Sequence, residues 1–269
     1  MEPLPLIALV GLGVLGLAVG SFLNVVIVRV PAGESILSPP SHCMACDAPI
    51  KPWDNIPVLS WVILRGRCRA CGEEFGLAYA LVEVANAVLW VIAGLRFGAS
   101  WALVPMLLLF STLLAQSVID LETSRLPDRI NFPVFGASVV LVAAVSAIEG
   151  EPSRIGLALL GAAGYALFMF ALAFLSIRGQ QAMGLGDAKF ALILGLFLAW
   201  VHPLLIPFSL IVASVVGLVP GAVMYIVRGK SEHYPFGPWL ALGCLVALLA
   251  ANGLLDTQLM DTPAFLAGP

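Results

Sequence analysis

Charge is what this sequence has least of. Asp, Glu, Lys and Arg make up 11% of its 269 residues against 61% hydrophobic, and mean hydropathy is +1.03. An ordinary soluble domain carries about 25% charged residues, so that class is excluded and the chain belongs in a bilayer. The formal net charge of −3 is small, which argues against a nucleic-acid partner or a strongly basic surface. A basic flank is also missing at the start, where Met1 and Glu2 precede a charge-free run over residues 3–28. A cleavable signal peptide needs a positive leading segment and a shorter apolar run, so this stretch is expected to remain as a first membrane span.

Further apolar stretches cover residues 75–95, 97–119, 130–148 and 155–177, each long enough to cross a hydrocarbon core about 30 Å thick as a helix. Residues 190–227 are uncharged and too long for one crossing, and His202, Pro203 and Pro207 interrupt them where a turn divides two spans. Residues 234–255 supply the last span. The expected fold is an all-α polytopic membrane protein of about eight transmembrane helices, the shortest of them at residues 185–201.

Eight spans put both termini on one side, and the basic residues test that count. Arg29, Lys51, Arg65, Arg67, Arg69, Arg125, Arg129, Arg178, Lys189, Arg228 and Lys230 fall in the loops after spans one, three, five and seven, eleven of the thirteen Lys and Arg; Arg96 and Arg154 fall on the other side. The positive-inside rule therefore places those four loops in the cytoplasm and both termini outside. The expected division is residues 1–28 as the first helix, 29–74 as a cytoplasmic loop, 75–256 as a seven-helix core and 257–269 as a short tail on the far side.

Loop 29–74 is too small for a hydrophobic core of its own. It contains Cys43-Met-Ala-Cys46 and Cys68-Arg-Ala-Cys71, two C-x2-C pairs separated by twenty-one residues. Four thiolates at that spacing suit one tetrahedral zinc ion, and cytoplasmic thiols stay reduced. A closed set of four sulfurs leaves no position for water, so the metal is expected to fold the loop and take no part in catalysis. Cys244 lies in the last span and reads as a small packing residue.

Two aspartates sit where the chemistry would be. Asp120 closes the third span, and Asp187 in Gly184-Leu-Gly186-Asp187-Ala-Lys189 opens the sixth. By the charge count both lie at the cytoplasmic border. Paired carboxylates at one depth can divide their roles, one activating water and the other polarising a carbonyl, which is aspartic-peptidase chemistry. The same residues also fit a structural reading: Asp187 as a helix N-cap, Asp128 as another, and Asp120 paired with Arg125. Glu83 interrupts the second span and requires a buried partner or a polar cavity. Gly11-Leu-Gly13-Val-Leu-Gly16 fits a dinucleotide fingerprint in letters but lies in an apolar span with no preceding strand, while Gly16-x-x-x-Gly20 suits close helix packing. His42, His202 and His233 show no ligand spacing. A transporter would need polar groups near the middle of several spans, where Glu83 is nearly alone, and a non-catalytic scaffold would dock partners through the cysteine loop.

Several rare stretches occur together and in order: Gly20-Ser-Phe-Leu-Asn24-Val-Val-Ile, the four-cysteine loop with Asp54-Asn-Ile-Pro-Val-Leu-Ser60-Trp61 between its knuckles, Ile119-Asp120 with Leu126-Pro127-Asp128, Gly184-Leu-Gly186-Asp187-Ala-Lys189, and Pro235-Phe-Gly-Pro238. Through them the chain resembles the prepilin leader peptidases, aspartic enzymes of bacterial inner membranes, over nearly its whole length. The resemblance implies that Asp120 and Asp187 are the catalytic pair and that the substrate is a type IV prepilin or pseudopilin, cut after its short basic leader at the cytoplasmic border. It also implies, for many relatives with the cysteine loop, methylation of the new N-terminus with S-adenosylmethionine. Relatives usually read Arg-Tyr-Pro-Leu-Val-Glu after the second knuckle; here Leu77-Ala78-Tyr79-Ala80-Leu81-Val82-Glu83 lacks the arginine and the proline but keeps Glu83.

Overall fold

The fold was determined as a computed structural model, which describes residues 3–174, 176–177, 180–181, 184–228 and 235–255. Arg178, Lys230, His233 and the tail at 257–269 lie outside the described residues.

Eight helices of seventeen residues or more are present among the described residues: α1 Leu6–Ala32, α3 Leu77–Phe97, α4 Leu103–Thr123, α5 Asp128–Ile148, α6 Ser153–Phe174, α7 Leu185–Val201, α8 Leu205–Arg228 and α9 Gly237–Leu255, with the one-turn α2 Leu59–Ile63 between the first two. They match the eight expected spans in order. Six are long and apolar enough to cross a membrane by length and composition, and α7 and the described part of α9 are shorter. Many large apolar side chains on the helix surfaces stand exposed, among them Ile7, Leu160, Leu167, Leu218 and Val219. Contiguous exposed apolar faces of this kind suit lipid rather than water, and the chain is a multi-pass membrane protein. Strand pairing among the described residues is confined to a two-residue ladder, β1 Ser176–Ile177 with β2 Gln180–Gln181, and two isolated bridges.

The chain forms two compact units, Glu2–Ala99 and Ser100–Pro269. In the first, α1 and α3 pack so closely that a Cβ on Gly16 would lie 2.7 Å from Ala87 Cα and one on Gly20 would lie 2.7 Å from Glu83 Cα. The small-residue stripe therefore works as helix packing, as its spacing suggested. Polar side chains close the seam: Asn86 Nδ2 donates to the Gly16 carbonyl at 2.7 Å and Asn24 Nδ2 to the Tyr79 carbonyl at 3.0 Å. Helix α1 ends where Gly33 takes a left-handed φ of 77° and the Glu34 N–H returns to the Arg29 carbonyl, a Schellman stop. Arg29 itself is buried. Its guanidinium donates to the carbonyls of Ser35 and Pro39 at 3.1 and 2.7 Å and so steers the chain into the loop.

In the second unit α7 is the central helix. Every residue from Phe190 to Val201 except Leu192 is buried, including Phe197 and Trp200, and a helix apolar on all sides requires protein on all sides. Gly161 of α6 and Gly195 of α7 bring those two backbones into contact that a side chain at either position would block. Trp200 Nε1 donates to Ser146 Oγ of α5 at 2.9 Å, and Gln116 Nε2 of α4 to Asn131 Oδ1 of α5 at 2.6 Å. These bonds fix the ends of α4, α5 and α7 around the aspartates. Cys244 of α9 is fully buried, the packing residue expected of it.

Candidate functional site

Both aspartates lie in the second unit. Asp120 sits in the last turn of α4 and Asp187 in the first turn of α7, and both are buried. They are near enough for their charges to interact. Asp120 Oδ2 accepts the N–H of Gly237, the first residue of α9, at 2.9 Å. A Cβ at position 237 would lie 2.7 Å from that same oxygen. Glycine is thus required there by space, because the backbone of α9 approaches the carboxylate directly.

Asp187 Oδ2 accepts the Gly184 N–H at 3.2 Å, half of a capping box at the start of α7. The structural reading of Asp187 therefore holds in geometry, and it leaves the other carboxylate oxygen for a second partner. Gly186 has Leu126 against it, so that a Cβ at position 186 would lie 3.2 Å from Leu126 Cβ. The glycine-rich approach to Asp187 thus serves the segment that follows Asp120, and it draws Leu126 and Asp187 together.

Asp128 differs from its expected role. It is the first residue of α5, whose N-cap is Pro127, and it makes no cap. Lys189 Nζ of α7 instead donates to both its oxygens at 2.7 and 2.8 Å. The pair is exposed, with side-chain exposures of 38% and 52%, so it adds little stability. Its effect is to tie the start of α5 to the start of α7 beside the buried aspartates. Sequence reading assigned no role to Gly237 or to this ion pair, although Lys189 and Pro235-Phe-Gly-Pro238 stood among the distinctive stretches; nothing in a sequence says which backbone N–H reaches which carboxylate.

In the first unit the four cysteines converge. One sulfur from each of Cys43, Cys46, Cys68 and Cys71 lies within 4.8 Å of the others, a group that could hold a metal ion. The two knuckles are copies of one small hairpin. In each the first cysteine's N–H bonds the carbonyl five residues on, Ala48 or Glu73, and its carbonyl accepts the N–H four residues on, from Asp47 or Gly72. Those fourth residues both take a left-handed φ, 57° for Asp47 and 77° for Gly72. The backbone N–H groups of Cys71 and then Ala70 lower the Cys68 thiol to about 7, as knuckle amides do for a thiolate ligand. Between the knuckles Asp54 holds Arg69 through its guanidinium edge at 2.6 to 3.1 Å, and this pairing keeps the Asp54 carboxyl below its usual range.

Comparison with known proteins agrees with this division. The family model described as the bacterial peptidase A24 N-terminal domain matches residues 14–97, and that of the type IV leader peptidase family matches residues 107–222. The first range ends with α3, where the first compact unit ends; the second contains Asp120 and Asp187. A prepilin leader peptidase/N-methyltransferase of Stutzerimonas stutzeri is 37% identical, covering 91% of this chain and 92% of its own length. Proteins of the same name from Neisseria gonorrhoeae and Pseudomonas putida are 33% and 35% identical, covering 90% and 93% of this chain and 90% and 92% of their own lengths. No solved structure matches. Matched along both units, and over the helices that carry the two buried aspartates, the chain belongs to the type IV leader peptidase family.

Proposed function

We propose that this protein is a membrane aspartic endopeptidase that removes the basic leader of type IV prepilins or pseudopilins, with Asp120 and Asp187 as its catalytic pair. The observation that carries the reading is the pair itself: two buried carboxylates from distant helices, close enough to interact, in a chain of this family. One carboxylate, ionised, takes a proton from water as the oxygen bonds to the scissile carbonyl carbon. The other, protonated, donates to the carbonyl oxygen. The C–N bond then breaks and the leaving nitrogen receives a proton. The N–H groups of Gly237 and Gly184 hold one oxygen of each carboxylate in place, so little reorganisation is needed as water arrives.

Zinc fits the four-cysteine group. A tetrahedral thiolate site with bonds of about 2.3 Å puts its sulfurs about 3.8 Å apart, and Cys43 Sγ and Cys71 Sγ stand at 3.8 Å. In this reading zinc folds residues 29–74, residues 75–256 carry the remaining helices, and the eleven basic residues place the loop and both aspartates at the cytoplasmic face of a bacterial inner membrane. A basic leader would wait on that same face. The names of the relatives support a second activity, methylation of the new N-terminal amine by S-adenosylmethionine.

Purified protein in detergent, incubated with a type IV prepilin, is expected to yield the leader-free product by mass spectrometry, and with S-adenosylmethionine a product heavier by one methyl group. A prepilin left intact overturns the peptidase reading. Gly237→Ala is expected to lower the cleavage rate about a hundredfold while the protein still folds, since its methyl must displace the Asp120 carboxylate by a large fraction of an ångström. Gly237→Ala with an undiminished rate would show that Asp120 need not sit where α9 holds it.

A further inference from the structure

Glu83 is the ionisable group that neither the peptidase chemistry nor the metal uses. It lies in α3 with 8% of its surface exposed, and it lines a cavity of about 460 Å³ formed wholly within the first unit. Its Oε2 accepts the Val58 N–H at 2.7 Å. Val58 is a β-branched residue held at φ 60°, a strained conformation that the carboxylate fixes from across the cavity. Among the described residues no Lys, Arg or His lies within ion-pair distance of Glu83. A buried carboxylate with one neutral donor and no cation is an incomplete site, and it calls for a positive partner.

The remaining walls narrow the chemistry. Trp61, Phe75 and Tyr79 supply aromatic surface, and the Trp61 indole is fixed by donating to the Phe75 carbonyl at 3.4 Å. Cys43 and Arg67 line the side built by the knuckles. Ligand sites of about 300 to 1,000 Å³, mostly apolar with a few polar groups, take drug-sized or nucleotide-sized molecules. A base stacked on aromatic rings and a cation set against Glu83 together describe a nucleoside that carries positive charge.

We propose that this cavity is the binding site for S-adenosylmethionine and that Glu83 faces its positive charge. The inference rests on the methyltransferase reading above and assigns it a place in the first unit, whereas Asp120 and Asp187 belong to the second. It also gives Glu83 a way to distinguish cofactor from spent product, because the sulfonium becomes a neutral thioether once its methyl group has left. Aromatic faces strengthen the same preference through cation–π attraction.

Equilibrium dialysis of the purified full chain with radiolabelled S-adenosylmethionine, and separately with S-adenosylhomocysteine, tests the assignment. Wild-type protein is expected to hold the sulfonium more tightly than the thioether. Glu83→Gln keeps an oxygen for the Val58 N–H and removes the charge, so it is expected to weaken the sulfonium about tenfold and to leave the thioether nearly unchanged. Bound zinc, measured on the same samples, reports whether the unit has folded. A second variant, Ser21→Phe, fills the cavity from α1 and is expected to weaken both ligands. Ultraviolet cross-linking of the labelled cofactor should place the label within residues 21–83. If Glu83→Gln binds both ligands as wild type does, or the label falls beyond residue 100 in protein that methylates, this site is wrong and the methyltransferase reading stands. Protein that cleaves prepilin but neither binds the cofactor nor transfers a methyl group overturns that reading, and this assignment with it.

Discussion

Asp187→Asn, and separately Asp120→Asn, should each lower leader cleavage by about a thousandfold, the scale on which positioned acid–base groups act. Asparagine is the informative substitute because it keeps a carbonyl oxygen. At position 187 that oxygen can still accept the Gly184 N–H that starts α7, and at 120 it can still accept the Gly237 N–H. Folding and helix geometry are therefore retained while the proton exchange is lost. This separates catalysis from capping, which the geometry alone assigns to Asp187 in equal measure. The double variant is expected to be no slower than either single one, since the two groups act as a unit and removing one disables both. Asp128→Asn, which breaks only the exposed pair with Lys189, should change the rate by less than about fivefold. A single Asp187→Asn protein that folds and cuts at the normal rate would reduce Asp187 to a helix cap and end the dyad reading.

Much of this arrangement is legible in the residues alone, and the parts that are not have physical reasons. Span order follows from hydropathy, and the sixth span reads at the residues where α7 lies, 185–201. What its shortness means is not legible. A span of seventeen residues is marginal against lipid, yet α7 is packed by other helices on all sides and owes its order to them. Gly16 and Gly20 announce close packing by spacing alone, because small residues four apart share a helix face; which residues they meet, Ala87 and Glu83, is beyond the pattern. Glu83 is visible as a charge in a span that needs a partner. The partner, a single strained N–H at Val58, belongs to a loop conformation that periodicity cannot describe. Asp128 shows the opposite case: its place before an apolar run suggests a cap, but Pro127 occupies that position and Lys189, sixty-one residues on, takes the carboxylate. Local signals locate helix ends well; long-range pairings between ends come only from the packing.

The cysteine loop carries the second large effect. Cys43→Ser or Cys71→Ser should abolish stoichiometric zinc and leave the segment between α1 and α3 open to proteolysis, with wild-type protein treated with a strong chelator behaving in the same way. The loop has little else to hold it: its longest helix is the five residues of α2, and its two ion pairs, Arg67 with Glu74 and Arg69 with Asp54, involve arginines more than half exposed. Structural zinc in small peptides contributes roughly 10 to 16 kcal/mol of apparent binding energy at neutral pH, far more than surface pairs of up to about 1 kcal/mol each can replace. Both knuckles also commit backbone strain to the metal, most plainly at Asp47, which sits left-handed where the second knuckle has Gly72. Asp47→Gly should therefore retain zinc and raise resistance to chelation slightly, whereas Gly72→Val should lower it, since a β-branched residue is poorly tolerated at that φ. The assignment fails if purified protein carries no metal and yet resists protease across residues 35–75, or if it carries iron with visible absorbance. Any leader cleavage that survives zinc loss should still disappear with Asp120→Asn, because the metal site and the carboxylate pair stand in separate compact units of the chain.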